Sequence, residues 1–226
     1  MPTVSISTLG KRLSALLVMA LALTACTPAN RMPDGHAQLP PPEAPPIESQ
    51  WQDYQRVLGS INDWQVQGKL GVRTPADSGS VTFNWKQLPE QFAIYLNGPL
   101  GQGTVWIRGN EQQVSLEQSG QDTLYAPTPE LLMYNTMGWW LPVSDLHYCV
   151  NGIPSPHTSV DDEQHNADGT LQTLQQNDWQ LSYPAYQQLG GWHLPSKVVA
   201  QYRSPNPQGD IRLTFIIKDW RLHSSP

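Results

Sequence analysis

The stretch "DWQVQGKLGVR", Asp63 to Arg73, alternates apolar and polar side chains with a period of two. Its apolar positions share one face of an extended chain: Trp64, Val66, Leu70 and Val72. The opposite face carries only polar side chains: Gln65, Gln67, Lys69 and Arg73. This period is typical of a β-strand that buries one face and exposes the other. We therefore predict a half-buried strand here.

The same alternation recurs along the rest of the chain. It is clear in "SVTFNWK", "FAIYL", "TVWIR", "QVSLE" and "IRLTFIIK", and weaker in "WQLSY" and "KVVAQYR". About eight short strands separated by turn residues are typical of an antiparallel sheet that curls towards a barrel. The sequence thus predicts one curved antiparallel sheet.

Three helices are predicted to cover the apolar face of this sheet. The first begins near Ser49, because apolar residues follow at spacings of three and four: Trp51, Tyr54, Val57, Leu58 and Ile61. In the second, Thr128 is the N-cap of "PELLMYNTM" and Gly138 ends it, whereas Ser144 is the predicted N-cap of the third, "DLHYCV". The predicted fold class is mainly β with helices (α+β), one curved antiparallel sheet whose apolar side is covered incompletely by short helices, which leaves room for a cavity.

The N-terminus has the pattern of an export signal. Lys11 and Arg12 precede an apolar run from Leu13 to Leu23, which is too short to span a bilayer, and "LTAC" follows, ending at Cys26. This resembles the bacterial lipoprotein signal, in which the cysteine is lipidated and becomes the new N-terminus. The alternative is an ordinary secretory signal with a chance cysteine. We expect a signal peptide over residues 1–25 and a lipid anchor at Cys26.

A proline-rich segment follows the cysteine. Seven prolines lie between Thr27 and Glu48, with "PPPEAPP" at the centre. Such chain favours extended polyproline II. We expect residues 26–48 to tether a domain formed by residues 49–226. In enterobacterial lipoproteins, Asp directly after the lipidated cysteine resembles a signal for retention in the inner membrane. Thr27 occupies that position here. We therefore expect the outer membrane, with the domain facing the periplasm.

Composition and motifs exclude several function classes. A net charge of -6 argues against nucleic acid, or an anionic membrane surface, as a partner bound through charge. The chain contains no G-x-S-x-G, H-E-x-x-H, C-x-x-C or P-loop motif, so neither an enzyme nor a cofactor is expected. The stretch "HTSVDDEQH", His157 to His165, is interpreted as solvated charge in a turn-rich linker rather than as a metal site.

The apolar face of the predicted sheet is rich in large side chains. Its candidate cavity-lining residues are Trp64, Val66, Leu70, Phe83, Trp85, Phe92, Ile94, Leu96, Leu213 and Phe215. The alternation does not assign three further bulky side chains to a face of the sheet: Trp106, Trp139 and Trp140. These side chains either fill an ordinary core or line a ligand cavity. The composition of this face does not distinguish a filled core from a ligand cavity.

Four ordered motifs resemble the LolB family of outer-membrane lipoprotein receptors: "GKLGVRT", "GSVTFNWKQ", "NGPLGQG" and "LPVSDLHYCVNGIP". The resemblance runs from about Trp51 to about Trp220 behind the lipid-anchor signal. It implies an unclosed barrel with a helical lid, a cavity for lipoprotein acyl chains, and delivery by the periplasmic carrier LolA. It implies no enzymatic activity. We expect a monomer.

Within "NGPLGQG" the resemblance assigns a role to one loop. Leu100, between Pro99 and Gly101, matches the family's protruding leucine, which is associated with delivery into the inner leaflet of the outer membrane. Cys149 departs from the family, because a bulky aromatic residue is usual there. Two other interpretations remain open: a lipocalin-like module for a free lipid or hydrophobic ligand without a carrier partner, and a structural lipoprotein with a filled core.

Overall fold

The computed structural model describes residues 47–98, 103–110, 112–138, 140–202 and 209–223. The predicted signal peptide, Cys26, most of the predicted tether and the loop residues Pro99, Leu100 and Gly101 lie outside the described residues. None of the helices in the described ranges has the length and apolar character needed to cross a bilayer.

Eleven strands form one antiparallel sheet in the order β6-β5-β4-β3-β2-β1-β11-β10-β9-β8-β7. They are β1 (Trp64–Arg73), β2 (Ser78–Gln87), β3 (Gln91–Asn97), β4 (Thr104–Asn110), β5 (Val114–Gln118), β6 (Leu124–Ala126), β7 (Val160–His165), β8 (Leu171–Gln176), β9 (Trp179–Leu189), β10 (Trp192–Tyr202) and β11 (Ile211–Leu222). Within the described part of the chain, β6 and β7 are the edges and do not pair with each other. The predicted fold class, an unclosed antiparallel sheet with helices, is confirmed.

The period-two pattern sets the register of the central strands. β1 pairs with β2 on one side and β11 on the other, so Leu70 lies between Val81 and Phe215. Partners in an antiparallel ladder point to the same face. The apolar positions therefore form continuous rows on the inner face, and the polar positions form the outer face.

The helices are α1 (Ile47–Ser60), α2 (Pro129–Met137) and α3 (Val143–Asn151). α1 begins two residues before the predicted start. The caps of α2 are as predicted, because the Thr128 side chain accepts the Leu131 N–H at 3.2 Å and Gly138 has a left-handed φ of 76°.

The predicted cap of α3 is wrong. The N-cap position is Pro142, which makes no side-chain cap hydrogen bond, and Ser144 lies inside the helix. The Ser144 N–H instead donates to Oε1 of Glu130 at 2.8 Å. A carboxylate from the preceding helix thus takes the place of the expected local cap.

Tryptophan side chains fill one end of the sheet, which we call the closed end. The ring centroid of Trp64 lies 5.2 Å from that of Trp85 and 5.6 Å from that of Trp220. α1 packs at the same end, where Trp51 Nε1 donates to Glu163 Oε1 at 3.2 Å and the Tyr54 hydroxyl donates to the backbone carbonyl of His193. A surface hollow of about 420 Å³ lies beside these contacts, near the β2–β3 turn and the start of α3, and Trp85 and Phe92 are among its lining residues.

Candidate functional site

The opposite end of the sheet, which we call the mouth, contains an apolar hollow. Antiparallel pairing brings the β1–β2 turn and the β3–β4 hairpin to this end, and the C-terminal end of α2 joins them. The hollow has a volume of about 420 Å³. It is lined by Val72, Thr74, Asp77, Ser78, Gly79, Ser80, Val81, Gly98, Gly103 and Met137. Its size is within the range of about 300–1,000 Å³ typical of small-ligand sites.

Exposed apolar side chains on β6, on α2 and just after α2 form what we call the rim, of which Met137 lines the hollow of the mouth. Large hydrophobic side chains that remain exposed there are Leu124, Tyr125, Tyr134, Met137 and Trp140. Trp140 is 56% exposed, and its ring lies 6.3 Å from that of Tyr134. Tyr and Trp rings are typical of surfaces that meet both an apolar phase and water. The rim is therefore suited to contact with lipid.

The described ends of the "NGPLGQG" loop, Gly98 and Gly103, lie at this mouth. The Gly98 N–H donates to the Gly103 carbonyl at 3.1 Å, and Gly103 has a left-handed φ of 78°. Both glycines line the apolar hollow. Residues 99–102 are outside the described residues, so the role of Leu100 stays a prediction, but the two ends of its loop lie at the mouth.

The ten candidate cavity residues all lie on the inner face, but they differ in burial. Six are buried in the core: Trp64, Val66, Phe83, Trp85, Leu213 and Phe215. The others are half-buried and pack against that core: Leu70, Phe92, Ile94 and Leu96. None of the ten lines the hollow at the mouth. Their contact with a ligand therefore stays a prediction.

α3 covers part of the inner face. Cys149 is buried, and this burial, together with the nearby Asp145 carboxylate, raises the pKa of its thiol to about 12. A void of about 20 Å³ lies beside it. The Tyr183 hydroxyl is also buried and has no hydrogen-bond partner among the described residues. The contact of α3 with the sheet is thus imperfect in both packing and hydrogen bonding.

A polar network, which sequence reasoning missed, fixes the turn after α3. Asp145 Oδ1 accepts the Ser155 hydroxyl at 2.6 Å and lies 3.0 Å from His157 Nδ1. The buried Gln176 side chain accepts the Ser155 N–H and donates to the Ser155 carbonyl. The network joins residues that are distant in sequence, so no local pattern predicts it.

The structure revises two interpretations of the sequence. "HTSVDDEQH" is not a turn-rich linker, because most of it forms the edge strand β7, whose polar side chains show no apolar alternation. Trp106 lies on the outer face, with its ring 4.5 Å from that of Tyr95 and the Arg108 guanidinium 4.6 Å from its centroid. It therefore belongs to a surface cluster.

A family model described as "Outer membrane lipoprotein LolB" matches residues 62–220. The chain belongs to the LolB family. A LolB-family relative from Cellvibrio japonicus, named "Outer-membrane lipoprotein LolB", is 40% identical over 81% of this chain and 86% of its own length. One of the same name from Pseudomonas savastanoi pv. phaseolicola is 38% identical over 76% of this chain and 81% of its own length.

A solved structure supports the LolB-family fold. A LolA superfamily protein from Nitrosomonas europaea superposes with a TM-score of 0.50 over 81% of this chain and 96% of its own, at 9% identity. This likeness concerns the fold alone. The comparisons confirm the predicted family and an outer-membrane lipoprotein, and they favour the lipoprotein-receptor interpretation over the lipocalin-like one.

Proposed function

We propose that this chain takes lipoproteins from the periplasmic carrier LolA and inserts them into the inner leaflet of the outer membrane. The observation that carries the proposal is the apolar mouth, found in a chain of the LolB family. Burial of one methylene is worth about 0.8 kcal/mol, so exposing long acyl chains to water would cost tens of kcal/mol. Transfer therefore needs an apolar acceptor that opens towards a membrane.

Acyl chains would enter at the mouth and run along the inner face. Among the half-buried candidates, Leu70 and Leu96 lie nearest to it, because their strands end there. The rest of the inner face is filled, so a full-length chain needs room made by displacing α2 or α3. Two features favour such movement: the void beside Cys149 and the unpartnered hydroxyl of Tyr183.

Leu100 would then act at the membrane step. Its loop leaves the mouth between Gly98 and Gly103, on the same hollow as Met137. Burying one leucine contributes about 1.5–3 kcal/mol, which is too little to anchor a domain that carries its own lipids at Cys26. It is enough to bias the mouth towards the bilayer. Glutamate at position 100 would lose this contribution.

The test uses a soluble form that starts at Thr27, because all described elements lie within residues 47–223. LolA loaded with a lipoprotein is mixed with this form, and gel filtration shows which protein holds the cargo. Liposomes are then added. We expect cargo on the wild type, and we expect Leu100→Glu to accept cargo but pass little of it to liposomes.

The matched control is Val160→Glu, which places the same charge on an exposed aliphatic residue of the edge strand β7. It should transfer cargo as the wild type does. Cargo that stays on LolA with the wild type would overturn the receptor function. If both Glu variants failed equally at the liposome step, Leu100 would have no special role.

A further inference from the structure

The outer face of the four central strands is basic, although the whole chain has a net charge of -6. β2, β1, β11 and β10 together carry seven Lys and Arg residues: Lys69, Arg73, Lys86, Lys197, Arg212, Lys218 and Arg221. Their one acidic residue is Asp219, whose carboxylate accepts Arg221 Nε at 3.1 Å and Gln67 Nε2 at 3.0 Å. Charge is therefore segregated, and the net charge of the chain conceals a positive surface.

Two of these cations are direct neighbours at the mouth. Arg73 and Arg212 are cross-strand partners on β1 and β11, and both are exposed. Like charges at directly opposed positions of a sheet destabilise the pairing. Neither arginine forms an ion pair within the described part of the chain. An anion placed between them would relieve the repulsion.

The acidic side chains that flank these strands in sequence, Asp77 and Asp210, form no ion pair with either arginine in the described part of the chain. Asp77 lies in the β1–β2 turn, where its carboxylate accepts the Ser78 N–H at 2.7 Å. Asp210 is exposed just before β11 begins. The pair of guanidinium groups is thus left for an external ligand.

A polar notch of about 550 Å³ lies around the two arginines. Gly71 lies between Ser80 and Thr214 in the sheet register, so hydroxyl side chains flank a position that has no side chain of its own. All three residues line the notch together with Arg73 and Arg212. Guanidinium and hydroxyl donors around an open floor suit a phosphate group.

The notch adjoins the apolar hollow of the mouth. Val72 and residues 78–80 line both. A phospholipid has a matching arrangement, because its phosphate group lies next to its apolar acyl chains. We propose that the Arg73–Arg212 notch binds the headgroup phosphate of a bilayer phospholipid and so holds the mouth against the membrane. This inference deepens the proposed function and rests on it, because it concerns the membrane-facing side of the same mouth.

Flotation with vesicles of phosphatidylethanolamine and phosphatidylglycerol tests the proposal. The protein is the soluble form that starts at Thr27, compared with Arg73→Gln/Arg212→Gln. Each basic residue near an anionic surface contributes enough that loss of both should weaken partitioning about tenfold or more. The matched control is Lys218→Gln/Arg221→Gln, which makes the same charge change on β11 alone, at the closed end. We expect less than about a twofold effect from it.

Further arms identify the ligand. Vesicles of a phosphate-free galactolipid should bind the wild type and the Arg73→Gln/Arg212→Gln variant equally weakly. If the two double variants lost vesicle binding equally, binding would depend on diffuse positive charge and the proposed notch site would be wrong. If neither variant lost vesicle binding, the basic surface would not contact the membrane at all. Calorimetry with inorganic phosphate gives the third outcome: tight binding of free phosphate, with vesicle binding unaffected by the variant, would make the notch a soluble-anion site and overturn the lipid assignment.

The fold and the proposed function have separate readouts. Removing two facing cations relieves repulsion, so Arg73→Gln/Arg212→Gln should unfold no earlier than the wild type. It should also still accept cargo from loaded LolA in gel filtration. Failure of the wild type to accept cargo tests the receptor function, whereas the comparison of the two double variants on vesicles tests the notch.

Discussion

Glu130 of α2 and Ser144 of α3 are joined by a hydrogen bond of 2.8 Å, in which the carboxylate accepts the backbone N–H in the first turn of α3. This contact takes over the function of an N-cap, because the first N–H groups of a helix have no partner within it. The negative charge also lies at the positive end of the helix. The two helices that cover the inner face are thereby held at a fixed corner.

We expect Glu130→Ala to lower the free energy of unfolding by about 1 kcal/mol, since a capping interaction is lost. Glu130→Gln keeps an acceptor without the charge and should lose about half as much. Urea denaturation followed by tryptophan fluorescence measures both. Equal stability of the alanine variant and the wild type would show that the contact does not contribute.

Gly68 on β1 is a position where any side chain would collide with the neighbouring strand. A Cβ added there would lie 1.9 Å from the backbone oxygen of Ile216, at a shift in the β1–β11 register. Gly68→Ala should therefore cost about 2–3 kcal/mol or more, because backbone must move. Gly71→Ala, on the same strand, would meet nothing closer than 3.8 Å and should stay within about 0.5 kcal/mol of the wild type. Thermal unfolding of the two variants gives the comparison, and a similar loss from both would contradict it.

Trp220 and Trp64 provide a matched pair at the closed end. Trp220 Nε1 donates to the Pro195 carbonyl at 3.0 Å, whereas Trp64 Nε1 is buried and has no partner among the described residues. Phenylalanine at either position removes the same ring volume, but only Trp220→Phe removes a buried hydrogen bond. We expect Trp220→Phe to be less stable than Trp64→Phe by about 1 kcal/mol. The reverse order in urea denaturation would show that packing dominates.

The Cys149 thiol should be unreactive in the folded protein. In the form that starts at Thr27 it is the single thiol, and burial raises its pKa to about 12. We expect no reaction with Ellman's reagent at pH 8 until urea unfolds the chain, because the thiolate is the reactive species. Reaction at the rate of a free thiol in the native state would show that α3 opens readily.

The same thiol gives a pH dependence with a definite sign. Between its ordinary unfolded pKa of about 8.5 and pH 10, the unfolded thiol loses its proton while the folded one keeps it, so stability falls as pH rises. Cys149→Val should lack this part of the alkaline loss, whose slope is at most about 1.4 kcal/mol per pH unit. Urea midpoints at pH 8 and pH 10 measure the difference. If the wild type and Cys149→Val lost the same stability between pH 8 and pH 10, other titrating groups would cause the pH dependence.

Local patterns predicted those parts of the fold that local chemistry determines. The alternation around Trp64 predicted β1, and the Thr128-Pro129-Glu130 order predicted the start of α2, because each depends on neighbours in sequence. Strands β6, β7 and β8 were missed, because β6 has only three residues, β7 is mostly polar, and the leucines of β8 are three residues apart rather than two. The cap of α3 was missed because Glu130 reaches it from another helix.

The candidate site was predictable to a smaller extent. The motif around Leu100 indicated a functional hairpin, but the apolar rim depends on which side chains the helices leave uncovered. Trp140 is exposed and Trp64 is fully buried, although both are large and apolar. The Arg73–Arg212 pair depends on the register between strands that are distant in sequence. Such relationships follow from tertiary structure, which no local pattern encodes.

The unpaired edges β6 and β7 have a mechanical consequence. A closed barrel can enlarge its interior only by breaking ladder hydrogen bonds, whereas this sheet has no ladder between its first and last strands in the described residues. It can therefore change curvature elastically while every existing pair is kept. The short β6 and the carboxylates of β7 also discourage other strands from adding to those edges. Bending of the sheet would thus add to the room that displacement of α2 or α3 makes for cargo of different sizes.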